Sequence, residues 1–321
     1  MRAVTIEDGR PVWRERPTPV PGPGEIRIRV VYSALNRADL AQIGGLYPPP
    51  PGVTDVPGLE CAGFVDAIGP GECRFHLADP VCALLAGGGW AEFVVCPAGQ
   101  ALPLPRGVGL DGAAALPEAH ATCWSNLVVE GGMRAGTRVL VHAGGSGVGT
   151  AALQLARALG AEPVATASAG KLAACRELGA VEAYDRRGDW ALELRTRFPT
   201  GVDLILDPVG GGYLEHDQAV LGMDGRLVII GLMGGAAARL DLGRLLVKRQ
   251  RIVGSTLRNR TVEYKSALMA DLERVVWPLL ATGAIRPVVA GIHPISAIEL
   301  ACARLASDAV LGKILLCADG T

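Results

Sequence analysis

Residues 141–149 read VHAGGSGVG, and this stretch decides the fold. The residues before it, 138–144, form a largely apolar run rich in β-branched side chains, and residues 150–160 repeat apolar positions at helical spacing. The glycines therefore occupy a strand-to-helix turn. The N–H groups at the start of such a helix, together with its dipole, favour a bound phosphate. We predict that this turn holds the pyrophosphate of a dinucleotide.

The turn does not match the G-x-G-x-x-G pattern in full. Gly144 and Gly149 fit the first and third glycines, and Ser146 takes the middle place. A serine there still allows close backbone approach and adds a hydroxyl, so we expect Gly144, Ser146, Gly147, Val148 and Gly149 to contact the cofactor. A purely structural tight turn is the alternative. A hydrolase elbow, G-x-S-x-G, is excluded because Val148 stands where its second glycine is required.

The pattern of apolar residues, glycines and prolines changes along the chain. The first hundred residues carry short β-type runs separated by Gly and Pro clusters, which indicates an antiparallel or barrel-like domain. From about Ala119, apolar strands alternate with amphipathic helices, which is typical of a doubly wound parallel sheet. After about Tyr264 the chain has one more helix and short apolar runs that end in GKILL. This tail could return to complete the first domain.

Composition limits the possible partners. The chain has 321 residues, 50% of them hydrophobic, and a net charge of -1, so no overall field favours nucleic acid or an anionic membrane. The first residues lack the layout of a secretory signal and of a membrane span, and we expect a cytoplasmic protein. The basic run KRQR, 248–251, could be a nucleic-acid patch, but a solvated strand edge is favoured because no aromatic residues interleave it.

Cysteines and histidines offer no metal site. The eight cysteines lie far apart, with no C-x-x-C pair and no histidine at ligand spacing, so we expect free, mostly buried thiols. The five histidines are scattered, and none has a cysteine or carboxylate at motif spacing. We assign no catalytic role to any of them.

The end of the second strand of the alternating region favours NADPH over NADH. An acidic residue about 20 positions after the glycines would bind the ribose 2′-hydroxyl of NADH, but Glu162 lies at the wrong end of that strand. Ser168 and Lys171 stand at the correct end and can donate to a 2′-phosphate. Arg186 could cover the adenine or reach the phosphate, and a solvated surface arginine is equally compatible.

Several ordered segments carry a family resemblance over the whole chain. They are SALNRADL, GLYPPPPG, LPEAHATCWSNL, HAGGSGVGTAALQLAR, LILDPVGGGYLEHD and DGRLVIIGLMGG. The sequence resembles the zinc-free, zeta-crystallin-like quinone oxidoreductases of the medium-chain dehydrogenase/reductase superfamily, and most of all the tumour-suppressor-inducible branch. The resemblance implies an α/β protein with a Rossmann domain inserted in a GroES-like catalytic domain. The implied bounds are 1–120 for the catalytic domain, 121–264 for the NADPH-binding domain and 265–321 for the C-terminal return.

The resemblance also implies the site residues. Cofactor contacts fall on Thr122, Gly147, Val148, Ser168, Lys171, Gly231, Leu232 and Met233. Asn36 and Tyr47 line the substrate cleft. Zinc-dependent relatives carry a metal-binding cysteine where this chain has Asn36 and a histidine where it has Leu59, so the resemblance implies no catalytic metal. It further implies a homodimer formed through edge strands of the Rossmann domain.

These residues lead to a hypothesis about the reaction. We expect hydride transfer from NADPH to a quinone, with enones as the alternative acceptors and a non-catalytic NADPH sensor as the rival class. Tyr47, in a flexible proline-bounded loop, could swing over the substrate as orienting donor or proton source, or simply pack on the prolines. Asn36 could bind substrate or cap backbone groups, while Asp39 is the more plausible cap of the following helix.

Overall fold

The computed structural model describes residues 1–318 and divides into two compact units. The first unit comprises Met1–Ala121 and the chain from Leu257 onward, and the second comprises Thr122–Thr256. The chain thus re-enters the first unit at Leu257, before the predicted bound at 264. It does so because Leu257 is buried and the Arg258 side chain donates to the carbonyl oxygens of Ala86 and Tyr47 in the first unit.

The described residues contain strands in both units. In chain order they are β1 (Arg2–Glu7), β2 (Arg10–Glu15), β3 (Glu25–Ala34), β4 (Glu60–Ile68), β5 (Pro80–Leu84), β6 (Phe93–Pro97), β7 (Ala101–Pro103), β8 (Arg138–Val141), β9 (Glu162–Ala167), β10 (Glu182–Asp185), β11 (Val202–Asp207), β12 (Leu221–Ile229), β13 (Arg251–Gly254), β14 (Val289–Pro294) and β15 (Lys313–Cys317).

The α-helices are mostly short. They are α1 (Arg37–Ile43), α2 (Leu110–Ala113), α3 (Pro117–Cys123), α4 (Gly147–Ala158), α5 (Leu172–Glu177), α6 (Trp190–Arg197), α7 (Leu214–Val220), α8 (Leu242–Val247), α9 (Val262–Asp271), α10 (Trp277–Ala281) and α11 (Ile298–Ala306). Wider π-helical turns follow α3 over Trp124–Glu130 and α9 over Leu272–Val276. Within residues 1–318, no helix combines the length and the apolar character that a membrane crossing requires.

The second unit is a doubly wound parallel sheet, as predicted. Its strand order is β10-β9-β8-β11-β12-β13, and each neighbouring pair is parallel. The central strand β8 is buried on both faces, with Val139, Leu140 and Val141 fully covered, as expected of a strand between two helical layers. The strand order reverses between β8 and β11, and ligands of such sheets bind outside the carboxyl ends at this reversal.

The first unit is built on a largely antiparallel sheet. Its order is β14-β15-β3-β4-β5-β7, with β6 also pairing with β3. The apolar side chains of β3 that face inward, including Ile26 and Ile28, pack with those of β4, β5 and β6 in a buried core. β15 pairs antiparallel with β3, so the last strands of the chain join the sheet of the first. This is the GroES-like arrangement expected of the first domain, and the predicted fold class is confirmed.

Candidate cofactor and substrate site

The predicted glycine turn has the geometry of a phosphate cradle. Ala143 adopts a φ of 52°, and Ser146 caps α4 by accepting a 3.0 Å hydrogen bond from the Gly149 N–H. A Cβ on Gly149 would lie 2.3 Å from the Ala143 carbonyl oxygen, so only glycine allows the helix to pack this closely on the strand. The N–H groups of Gly147 and Val148, in the first turn of α4, have no intrahelical partner and can bind an anion.

Ser168 and Lys171 stand beside this cradle. Ser168 follows the carboxyl end of β9, and its carbonyl oxygen accepts a 2.8 Å hydrogen bond from the Lys171 N–H, which turns the chain back. The stem of Lys171 lies over Gly145, where a Cβ would be 2.5 Å from the lysine Cδ. Glu162, at the opposite end of β9, bonds to Arg138 at 2.8 Å. The structure therefore brings a cation and a hydroxyl to the end of β9, and no acid from that strand.

Arg186 lies at the same edge of the sheet, after β10. Its N–H donates to the Ala167 carbonyl at 2.8 Å, which ties the end of β10 to the end of β9. Its exposed side chain is near Tyr213, where burial raises the pKa of the phenol and the Arg186 charge acts in the opposite direction. Arg186 is thus placed with the other predicted cofactor residues.

Two loops at the carboxyl ends of β11 and β12 are joined to each other. The Gly234 N–H donates to the Val209 carbonyl at 2.7 Å, and the Gly211 N–H donates to the Gly235 carbonyl at 2.9 Å. The predicted residues Gly231, Leu232 and Met233 belong to this pair of loops. The side chains of Leu232 and Met233 are each more than half exposed. An apolar surface at the end of β12 suits one face of a nicotinamide ring.

Thr122 is buried at the end of α3, next to the glycine turn. The Sγ of the following residue, Cys123, donates a hydrogen bond of 3.3 Å to the Val148 carbonyl oxygen. The Thr122 carbonyl oxygen accepts a hydrogen bond of 2.7 Å from Asn126 Nδ2. These contacts bring Thr122 to the cradle. Burial raises the pKa of Cys123 far above its usual range, so its thiol is a structural group.

A buried polar cluster that the sequence did not predict lies at the same end of the sheet. His142 Nδ1 is 2.7 Å from Thr166 Oγ1, and His142 Nε2 is 2.7 Å from Asp217 Oδ1. Asp207 accepts hydrogen bonds from the N–H groups of Val209 and Gly210; burial raises its pKa to about 6, and Asp217 acts in the same direction. Both nitrogens of the His142 ring are therefore engaged inside the second unit.

In the first unit, Asn36 is the N-cap residue of α1, and its side chain also belongs to an ionic cluster. Its Oδ1 accepts a hydrogen bond of 2.6 Å from Lys313 Nζ, and its Nδ2 donates a hydrogen bond of 3.0 Å to Glu60 Oε1. Asp39, the predicted cap, is instead the third residue of α1, and its Oδ2 accepts a 2.7 Å hydrogen bond from the N–H of Asn36, the N-cap residue, in a capping box. The sequence missed Glu60 and Lys313. Each is a charged residue that begins a largely apolar strand, which was the available signal.

Tyr47 is half-buried and is held from the C-terminal part of the unit. The Arg258 guanidinium lies 5.3 Å from the centre of the Tyr47 ring. It also donates a 3.3 Å hydrogen bond to the backbone carbonyl oxygen of Tyr47. The same side chain bonds to Gln42 Oε1 at 2.8 Å, and Lys265 Nζ reaches the Arg258 carbonyl at 3.4 Å. Arg258 thus links the loop around Tyr47 to Gln42, and the flexibility expected of this loop stays a prediction.

Two carboxyl groups near this site, those of Glu118 and Asp39, are shifted toward their neutral forms. Burial raises the pKa of Glu118 to about 8, and the neighbouring Glu60 raises it further, against Lys313. Burial likewise raises the pKa of Asp39 to about 7. Burial, and then Glu118, raise the pKa of the Tyr47 phenol above 10, so it keeps its proton at neutral pH and can donate a hydrogen bond.

The residues at this place do not fit a zinc ion. Asn36 and Glu60 are bonded to the Lys313 ammonium, and Leu59 offers no ligand atom. Across residues 1–318, no three His, Cys, Asp or Glu side chains lie together as a metal site. The basic run 248–251 is also engaged locally: Lys248 bonds to the Leu221 carbonyl, Arg249 to Asp224, and Gln250 is buried.

Comparison with known proteins identifies the family. The model of the alcohol dehydrogenase GroES-like domain matches residues 22–106, and that of the zinc-binding dehydrogenases matches residues 147–273. The synaptic vesicle membrane protein VAT-1 homolog of Rattus norvegicus is 33% identical over 314 residues, covering 93% of this chain and 78% of the relative. The chain therefore belongs to the medium-chain dehydrogenase/reductase superfamily of NAD(P)-binding oxidoreductases, in its quinone-oxidoreductase-like, zinc-free group. The family prediction is confirmed.

Solved structures agree with this assignment. The Escherichia coli quinone oxidoreductase complexed with NADPH superposes with a TM-score of 0.88 at 26% identity, covering 98% of this chain and 99% of that one. The CurK enoyl reductase superposes with a TM-score of 0.87 at 26% identity, covering 99% of each chain. Other curated relatives are mycobacterial synthases, of which the chain spans about a tenth of the length.

Proposed function

We propose that this protein is an NADPH-dependent reductase that transfers hydride to quinones without a metal. The observation that carries the proposal is the carboxyl edge of the Rossmann sheet, where the glycine cradle after β8 adjoins Ser168 and Lys171 after β9. The cradle has the N–H groups for a pyrophosphate, and Lys171 provides the positive charge that a 2′-phosphate requires. The NADPH held by the Escherichia coli relative supports this choice of cofactor.

The second unit has residues that fit the whole cofactor. Gly147 and Val148 would bind the pyrophosphate, Ser168 and Lys171 the 2′-phosphate, and Arg186 the adenine end. Thr122 and the Gly231–Met233 loop would hold the nicotinamide. When bound, NADPH supplies the hydride. The protein contributes orientation and exclusion of water at the reacting carbon.

The first unit contributes the donors that a carbonyl acceptor requires. As hydride reaches a quinone or enone, negative charge develops on the acceptor's oxygen, and a preorganised donor lowers the barrier. We assign this donor role to Asn36 Nδ2 and the Tyr47 hydroxyl. Because its pKa is raised, Tyr47 donates a hydrogen bond without ionising, and it can deliver a proton when the product oxygen becomes basic.

Two other functions compete with quinone reduction. The likeness to an enoyl reductase supports reduction of an enone double bond, which needs the same cofactor and the same oxygen donor. A non-catalytic NADPH sensor would keep the cradle and bind NADPH without turnover, since a fold alone does not determine an activity.

Reduced-nicotinamide consumption separates these possibilities. The purified protein is supplied with NADPH or NADH and with ortho-quinones, para-quinones or short enals, before and after treatment with a chelator. Chelator-resistant turnover of quinones with preference for NADPH is expected. A preference for enals transfers the assignment to a double-bond reductase. Micromolar NADPH binding without turnover of any acceptor supports the sensor and refutes the proposed activity.

We also propose that the protein forms a homodimer through β13. This strand is the last of its sheet in the described chain and pairs with β12 on one side. The preceding helix α8 exposes Leu242, Leu246 and Val247, and exposed apolar surface beside an open edge favours pairing with a second copy. The substitution Val253→Arg should convert the dimer to a monomer in light scattering. A wild type that is monomeric at micromolar concentration would refute the proposal.

A further inference from the structure

The buried cluster of Asn36, Glu60 and Lys313 joins three distant parts of the chain. Asn36 precedes α1, Glu60 begins β4 and Lys313 begins β15. The Glu60 side chain is 0% exposed and the Lys313 side chain 5% exposed, and their ion pair measures 2.6 Å. A charged pair removed from water to this extent must be held by specific partners, because each charge left alone would be costly.

The Lys313 ammonium has a complete set of partners. It donates to the Leu35 carbonyl at 2.9 Å, to Asn36 Oδ1 at 2.6 Å and to Glu60 Oε1 at 2.6 Å. An ammonium has three N–H bonds and accepts none, so all its donors are used inside the protein. Lys313 therefore cannot itself bind a substrate and can act only through its partners.

These partners determine which way the Asn36 amide faces. An ammonium only donates, so the atom beside Lys313 must be the amide oxygen. The carboxylate of Glu60 accepts, so the atom 3.0 Å from it must be the amide nitrogen. The orientation follows from the chemistry of the two neighbours. One Nδ2 hydrogen then bonds to Glu60. The second Nδ2 hydrogen remains to bond a ligand, and the Asn36 side chain is only half-buried.

The second oxygen of the Glu60 carboxylate, Oε2, is also held by a hydrogen bond. It accepts 2.9 Å from the Glu118 N–H at the start of α3. Both carboxylate oxygens and all three ammonium hydrogens are thus committed. The Asn36 amide is held by a rigid, charge-balanced support, and a preorganised donor of this kind loses little entropy when a ligand binds.

We propose that Lys313 is a positioning residue, which holds Asn36 as an obligate hydrogen-bond donor toward the carbonyl oxygen of the substrate. The ammonium also polarises the amide through Oδ1, which makes the remaining Nδ2 hydrogen a stronger donor as the substrate oxygen gains charge. The inference rests on the proposed function and extends it. It names the recognised group as an acceptor oxygen, as in a quinone or enone carbonyl.

A double-mutant cycle tests the positioning role. Asn36→Ala removes the donor and should lower kcat/KM by about 100-fold, as loss of an oxyanion donor does. Lys313→Met should cause a loss of similar order, and the double variant should be no worse than Asn36→Ala alone, because both changes remove one function. The NADPH dissociation constant should stay within about twofold. Losses that multiply in the double variant would overturn the proposal.

Two further variants separate positioning from folding. Lys313→Met strands the Glu60 carboxylate, and adding Glu60→Gln removes that charge, so the pair should recover thermal stability but not kcat/KM. Recovery of both would show a structural role only. Lys265→Met is the matched control, since Lys265 is an equally buried lysine of this unit that bonds to the Arg258 carbonyl. Its effect should multiply with that of Asn36→Ala.

Amide NMR gives a readout that does not depend on activity. The asparagines of the chain are Asn36, Asn126 and Asn259, so asparagine-selective ¹⁵N labelling yields three side-chain NH₂ pairs. One proton of the Asn36 pair should exchange with solvent more slowly than the other. Lys313→Met should abolish this difference between the two protons. An unchanged Asn36 pair would overturn the positioning role. A wild type that reduces no acceptor but shows this pair refutes the proposed activity while the positioning stands.

Discussion

The glycine turn of the second unit and the ionic cluster of the first are built in opposite ways. The turn is one continuous stretch, residues 143–149, and the ligand groups that we propose for it are backbone N–H groups at the start of α4. The cluster gathers the side chains of residues 36, 60 and 313 and the backbone N–H of residue 118, and the ligand group that we propose for it is one amide hydrogen. A site made of contiguous backbone can be recognised in a sequence, whereas a site made of scattered charges needs the fold.

The largest expected effect lies in the turn. Gly149→Ala places a Cβ 2.3 Å from the Ala143 carbonyl oxygen, so the strand and helix must separate. NADPH binding should weaken by up to about 150-fold, since overpacking costs about 1–3 kcal/mol and each 1.4 kcal/mol is tenfold. Fluorescence titration with NADPH measures it. Gly170→Ala, which meets no atom within 4 Å, is the control, and equal effects of the two would contradict the cradle.

The next effect concerns the choice of cofactor. Lys171→Gln removes the charge beside the cradle and should weaken NADPH binding by about 10- to 50-fold, the value of a charge-assisted hydrogen bond. NADH lacks the 2′-phosphate, so its affinity should hardly change. Titrations with both cofactors report the ratio. A parallel loss for NADH would show that Lys171 supports the turn and does not read the phosphate.

A smaller effect is expected in the first unit. Tyr47→Phe removes one donor to the acceptor oxygen and should lower kcat by about 10-fold, with Asn36 still in place. Tyr32→Phe, a half-buried tyrosine of β3, serves as control. Steady-state kinetics with several acceptors measures both variants. Turnover of every accepted substrate at the wild-type rate would eliminate the donor and proton roles of Tyr47.

The smallest effect is on stability and depends on pH. The pKa of Glu118 is about 8 in the folded protein, above the ordinary 4.5, so the folded state binds more protons between these values. Stability should therefore fall as pH rises from about 4.5 through about 8. Glu118→Gln should raise the melting temperature at pH 9 by about 3 °C and leave it nearly unchanged at pH 4. A pH-independent shift would contradict the raised pKa.

The sequence alone determined the parallel sheet, the position of the cradle and the family. The continuous apolar strands, the glycine spacing around Ser146 and the ordered segments are all local signals. Ser168 and Lys171 could be predicted because their place after β9 follows from the strand order of this fold.

Only the tertiary structure decided the partners of Asn36 and Tyr47. The sequence left Asn36 between capping and substrate binding and expected a flexible loop at Tyr47. Lys313 bonds to the Asn36 side chain and the Arg258 guanidinium lies over the Tyr47 ring, and each partner is more than 200 residues away in the chain. The re-entry of the chain at Leu257 was likewise decided by packing. Long-range charge pairing leaves no periodic trace in a sequence, because each partner is a single residue whose burial depends on how distant strands are brought together.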